Sequence, residues 1–186
     1  MKATHTHTIS IDPDTSTPGV ALFLKGALRQ AFAHSVDQTC EQVTHWLENG
    51  HDTWGSVLMV VECPQTYGGR ASGNADANDL INLARVVGRF EEVAFRSAKI
   101  RRQDVDVLVV TPSQWKGQTP KHICTQRAWD ALTPAERNEH LLEITPQARA
   151  SLLKGNGIKS GKSCDVMDAV ALGLRALGRT PGRTLT

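Results

Sequence analysis

The sequence predicts an α/β domain built on a mixed sheet flanked by helices. Three apolar runs, at residues 6–12, 19–24 and 27–34, follow one another with only turn residues between them, the pattern of an antiparallel meander. Two further apolar runs lie at 105–110 and at 56–62, the latter almost without interruption. A strand like that at 56–62 is buried on both faces and lies inside a sheet covered by helices. Between and after these runs the apolar spacing changes to the helical period, so helices alternate with the later strands.

Each element has a local reason. Ile9 and Ile11 carry strand one to Asp12, and Pro13, Asp14, Ser16 and Pro18 then break it. Lys25-Gly26 forms a hairpin turn between strands two and three. Over 37–47, Val43, Trp46 and Leu47 recur at helical spacing, and Asn49-Gly50 stops that helix. Strand four ends on Glu62, and a loop of turn formers and small residues covers 63–73. A long helix follows over about 75–98, with Leu80, Leu83, Ala84, Val87, Phe90, Val93 and Ala94 on one face. After strand five, Thr111 and Pro112 stand as cap and first-turn residues of a short helical turn. One or two helices fill about 120–150, with Thr133-Pro134-Ala135-Glu136 as a capping box. A basic loop over 154–163 leads into a last helix at about 164–177. Residues 1–178 are expected to form a single domain and 179–186 a flexible tail.

At 186 residues the chain suits one domain with a core of its own. A net charge of +2 is too small to imply a polyanionic partner, so any such partner must be argued from where the basic residues sit. No apolar run approaches membrane-spanning length, and the residues after Met1 lack a signal-peptide core, so a cytoplasmic protein with no membrane partner is expected. Cys40, Cys63, Cys124 and Cys164 include no C-x-x-C pair, which argues against a zinc knuckle and for a reduced protein.

The chemistry-bearing residues are acids at element ends. Asp12 closes strand one beside a turn, where a carboxylate can face a ligand without being buried unpaired. A lone Asp-Pro-Asp is more often a turn former, so Asp12 gains weight only from company. Glu62 ends strand four in the same way. Asp165 and Asp168, at i and i+3, point the same way from the first turn of the last helix. Either one alone is explained by the helix dipole. Asp168, however, lies at the edge of the stripe made by Val166, Ala169, Val170 and Leu174, an expensive place for an unpaired charge. Carboxylates from two strand ends and one helix start make an all-oxygen ligand set suited to Mg²⁺ or Mn²⁺. Two such ions can clamp the attacking water and the leaving oxygen of a phosphodiester.

In order and local sequence the chain resembles the RuvC-type Holliday junction resolvases of the RNase H-like superfamily. The matching pieces are Ile11-Asp12-Pro13, Val60-Val61-Glu62, Asn74-Ala75-Asp76-Ala77, Val109-Val110-Thr111-Pro112 with Trp115-Lys116, and Asp165-x-x-Asp168-Ala169-x-Ala171-Leu172. Together they span most of the chain. The resemblance implies an RNase H-like fold with a five-stranded sheet in order 3-2-1-4-5, Asp12 and Glu62 lying on neighbouring central strands. It implies a homodimer that nicks two strands of a four-way DNA junction, leaving 5′-phosphate ends. It further implies a catalytic and metal-binding set of Asp12, Glu62, Asp165 and Asp168 holding two Mg²⁺, with Mn²⁺ able to substitute. Two departures stand out. Asp14 occupies a turn position where the family usually has Gly, and where Asp can tolerate positive φ. The connection from 120 to 162 is longer than in the bacterial enzymes, a feature associated with phage-type relatives.

DNA-facing residues are expected at Lys116 and Lys121, where the resemblance places basic groups near the scissile phosphate, and at Lys159 and Lys162 in the basic loop. Gly161-Lys162-Ser163 nearly completes a phosphate-binding loop, but Asn156 replaces its first Gly and no strand precedes it. Backbone tracking with salt-sensitive binding fits that loop better. Tyr67 and Arg70 follow Glu62, and an aromatic there could wedge into an open junction or simply pack the loop. Trp46, Trp115 and Trp129 read as core, and His5 and His7 as surface residues of strand one. Three rival readings remain: a nuclease of the same fold acting on other branched or hybrid nucleic acids, a catalytically silent DNA-binding module, and a fragment of an actin-like kinase. The last needs a second such domain, for which the chain has no room.

Overall fold

The computed structural model describes residues 5–49, 55–64, 77–101, 104–181 and 185. The chain opens with β1 (His7–Asp12), β2 (Gly19–Leu24) and β3 (Ala27–Ala33), the expected meander. At the β2–β3 turn Lys25 and Gly26 both take positive φ, 49° and 79°, which matches the right-handed twist of the two strands. Helix α1 (Val36–Asn49) leads to β4 (Val57–Glu62), and α2 (Ala77–Arg101) to β5 (Val105–Val110). The sheet runs β3-β2-β1-β4-β5, antiparallel from β3 to β1 and parallel from β1 to β5. This is the expected mixed five-stranded sheet, flanked by helices.

One apolar layer fills the space between the sheet and α1 and α2, where Val43, Trp46 and Leu47 meet Phe90 and Val93 over Ile9, Ile11 and Met59. The opposite face is covered by the last helix, α7 (Lys162–Ala176), which lies across β1, β2 and β3. Outside α7, residues 121–153 fold into three short helices rather than one or two: α4 (Lys121–Ala131), α5 (Pro134–Glu139) and α6 (Pro146–Leu153). The short turn before them is α3 (Pro112–Trp115). Thr133 and Thr145 cap α5 and α6, each followed by Pro at the first helical position. Both are the same start signal, so the second was readable from Thr145-Pro146.

Other expectations need correction. Ala84 is exposed; the buried face of α2 is Val86, Val87, Phe90, Val93 and Ala94. His7 is buried rather than on the surface, and burial lowers its pKa. Asp14 does not use positive φ, since Lys25 is the single non-glycine with positive φ among the described residues. Its carboxylate instead accepts the Ser16 and Thr17 backbone N–H groups at 2.7 and 2.9 Å, closing the turn after β1. Cys40, Cys63, Cys124 and Cys164 form no disulfide. No helix among the described residues is long and apolar enough to cross a membrane.

Candidate active site

The site gathers where the parallel strands end, the usual place for ligands in a sheet of this kind. Asp12 is the last residue of β1. Ile11 is in register with Val61 of β4, so the next residues, Asp12 and Glu62, leave the sheet side by side. The third and fourth acids come from α7, and their position depends on how closely that helix approaches the sheet. Gly19, paired with Asp12 across β1 and β2, has the backbone of Asp165 where a Cβ would stand. Gly173 is crowded in the same way by Phe23 and Ser10. Ser10, fully buried on β1, donates its hydroxyl to the Ala169 carbonyl at 2.7 Å. Two glycines and one hydroxyl therefore seat α7 against the strand that carries Asp12.

The result is a cluster in which one carboxylate oxygen each from Asp12, Asp165 and Asp168 lie within 4.8 Å of one another. Asp12 and Asp165 are half-buried; Asp168 is 1% exposed, because α7 is enclosed on nearly all sides and not along a stripe alone. Burial pushes all three carboxyls above the usual carboxylate range, Asp12 well above it, and the charges of Asp168 and Glu62 raise Asp12 further. Asp168 Oδ2 accepts the Lys121 ammonium at 2.8 Å, whereas its Oδ1 is buried without a hydrogen-bond partner. Lys121 also lies 3.8 Å from Asp165.

Glu62 stands beside this trio and not inside it. Its Oε2 accepts the indole N–H of Trp115 and lies 3.2 Å from the Lys116 ammonium. The turn α3 makes that possible. Thr111 and Pro112 start it, Gln114 Oε1 accepts the Thr111 N–H at 2.7 Å, and the four-residue helix returns Trp115 and Lys116 to the end of β4. Lys116 lies over the Trp115 ring, 4.8 Å from its centroid. Burial lowers the pKa of both lysines, but Glu62 and Asp168 outweigh it for Lys116 and Asp168 outweighs it for Lys121, so both rest above the ordinary value. Trp115, read as core, is indeed buried but also holds a site acid, a role its sequence position after Thr-Pro did not reveal.

The remaining expected DNA contacts lie elsewhere. Lys159 is exposed on the loop before α7, and Lys162 starts that helix with its ammonium 3.2 Å from Glu143. Tyr67 and Arg70 fall outside the described residues.

No protein-family model matches the chain. No curated protein matches it either. Among solved structures, that of T. thermophilus RuvC in complex with Holliday junction substrate is 15% identical, covers 91% of this chain and 91% of that one, and superposes with a TM-score of 0.47. The yeast mitochondrial Holliday junction resolvase Ydc2 is 11% identical over 89% of this chain and 75% of that one, with a TM-score of 0.48.

Proposed function

We propose that this chain is a metal-dependent endodeoxyribonuclease that resolves four-way DNA junctions by paired nicks, acting in the cytoplasm as a homodimer. The observation that carries the reading is the acid cluster itself. Asp12, Asp165 and Asp168 are gathered in a half-buried place where like charges repel, and one oxygen of the buried Asp168 has no protein partner. With Glu62, four carboxylates face two ammonium groups, which leaves an excess of negative charge when all are ionised. An all-oxygen donor set of that charge fits Mg²⁺ or Mn²⁺ better than softer metals. Asp12, Asp165 and Asp168 would hold the ions, with Glu62 completing the set; two ions there supply Lewis acidity toward a phosphodiester.

The chain's own groups do the rest. Trp115 fixes the rotamer of Glu62, and Lys116 and Lys121 bring positive charge to the rim of the acid cluster, where a phosphate oxygen must come to rest. Lys159 and Lys162, with Tyr67 and Arg70 after β4, extend the reading to the DNA arms. For the dimer, α2 offers Ile81, Gly88 and Phe95 at seven-residue intervals, all exposed, a stripe against which a second copy can pack.

Cleavage of a labelled synthetic four-way junction in Mg²⁺, Mn²⁺ or EDTA tests the proposal. Symmetric nicks with either ion and none in EDTA are expected, and Asp12→Asn should abolish cleavage while junction binding persists. Cleavage in EDTA, or preferential cutting of Y-shaped or RNA–DNA hybrid substrates, would overturn it.

A further inference from the structure

A cavity of about 590 Å³ is lined in part by Trp115 and Lys116 but by none of the four site acids. Its walls combine apolar groups, Val110, Trp115 and Ala171, with two arginines, Arg127 and Arg175. Arg175, in the last turn of α7, is 7% exposed. Its Nη1 donates to the Thr180 carbonyl at 3.3 Å, but its Nε–H is buried without a hydrogen-bond partner. Among the described residues no acid pairs with it, and burial lowers its pKa. A guanidinium stays protonated under such a shift, so a fixed positive charge stands in the wall of a space large enough for a small ligand. Arg127 adds a second positive charge at the exposed side of the same cavity. Lys116 lines the cavity and also contacts Glu62, so one residue borders both the cavity and the acid site.

We propose that this cavity is a phosphate subsite, in which Arg175 and Arg127 hold a phosphate of the bound strand other than the one being cleaved, with the sugar or base against Trp115. Planar guanidinium forks match phosphate oxygens, and an apolar wall beside them fits the rest of a nucleotide. The identity of the strand rests on the nuclease reading; the anion site itself does not.

The test follows the arginine Nε–H resonances of the full-length protein in EDTA. Inorganic phosphate, a deoxynucleoside monophosphate and a short single-stranded deoxyoligonucleotide are titrated separately, with sodium chloride at matched ionic strength as the control. The Arg175 signal, assigned by its loss in Arg175→Lys, should move saturably with the oligonucleotide, and Arg127→Ala should weaken that response about tenfold. Ser113→Trp, at an exposed position on the cavity wall, should block the response and keeps the test open if Arg175→Lys fails to fold. Movement with the oligonucleotide alone assigns the site to a strand, whereas equal movement with the monophosphate assigns it to a free nucleotide and overturns the strand proposal. No movement, or movement with chloride alone, overturns the phosphate site. Asp12→Asn should retain the shift while losing cleavage. A shift without metal-dependent cleavage in the wild type would therefore sink the nuclease reading alone, and cleavage without a shift would sink the subsite alone.

Discussion

Burial raises the Asp12 carboxyl well above the usual range, and its neighbours Asp168 and Glu62 raise it further against the pull of Lys116 and Lys121. A residue placed so unfavourably for its charged form weakens the metal-free fold. Asp12→Asn is therefore expected to stabilise the protein in EDTA, by about 1 kcal/mol and a rise of a few degrees in Tm. A fall in Tm would mean that Asp12 serves the structure. Trp115 makes the complementary case. Among the described residues its indole is the one uncharged side-chain donor on Glu62, so Trp115→Phe keeps the ring's bulk and leaves the carboxylate to Lys116. Turnover of a junction should drop roughly tenfold to a hundredfold while junction affinity holds, the response of a positioning group. Unchanged turnover, or lost affinity, would refute that role. Asp12, Glu62 and Asp165 were legible because each stands at the end of an apolar run or in a helix's first turn. Asp168, expected in the first turn as well, lies in the second turn of α7 and was legible only by its spacing from Asp165. Lys121 against Asp168 was legible only as a basic group near the site, because the pairing is made between residues far apart in the chain.

Element placement decides whether those acids meet. Helix α7 can come close to β1 and β2 because Gly19 and Gly173 have no side chain and Ser10 ties its hydroxyl to Ala169. Gly19→Ala puts a methyl into the backbone of Asp165 and must lift the first turn of α7. The expected cost is about 1–3 kcal/mol in urea denaturation, the range for overpacking a tight contact. Mn²⁺ affinity should fall as well, because the lifted turn carries Asp165 away from Asp12. Wild-type Mn²⁺ affinity in a destabilised Gly19→Ala protein would separate helix seating from the acid cluster. Close approach of this kind leaves no periodic mark, so Gly19 read only as a strand start. The helices α4 to α6 were blurred for another reason: at 11, 6 and 8 residues they are too short for apolar spacing to count them. Their Thr-Pro starts are the better signal.

At the scale of the molecule, the meander and the buried strand β4 leave a compositional mark, whereas the order 3-2-1-4-5 was implied by the family resemblance alone, and the joins between distant segments leave no mark. Glu136 is such a join. As a capping-box residue it was expected to accept the Thr133 backbone N–H, and it does, at 2.7 Å. It also accepts the Leu28 backbone N–H of β3 at 2.7 Å and both Nη groups of Arg179 at 2.7 and 2.9 Å. One buried carboxylate thus ties α5, the β3 edge and the segment after α7. Burial raises its pKa, but the Arg179 fork and the backbone donors outweigh that and bring it to about 2, against an ordinary 4.5. A folded pKa below the unfolded one means stability that is fully present above about pH 4.5 and is lost as the pH falls toward 2. The difference corresponds to about 3 kcal/mol at neutral pH. Urea denaturation of Glu136→Gln should show a deficit of that order at pH 7, shrinking steadily below pH 4.5 until the two proteins converge near pH 2. A deficit that stays constant from pH 7 to pH 2 would assign the loss to packing, and no deficit at all would remove Glu136 as the tie between these elements.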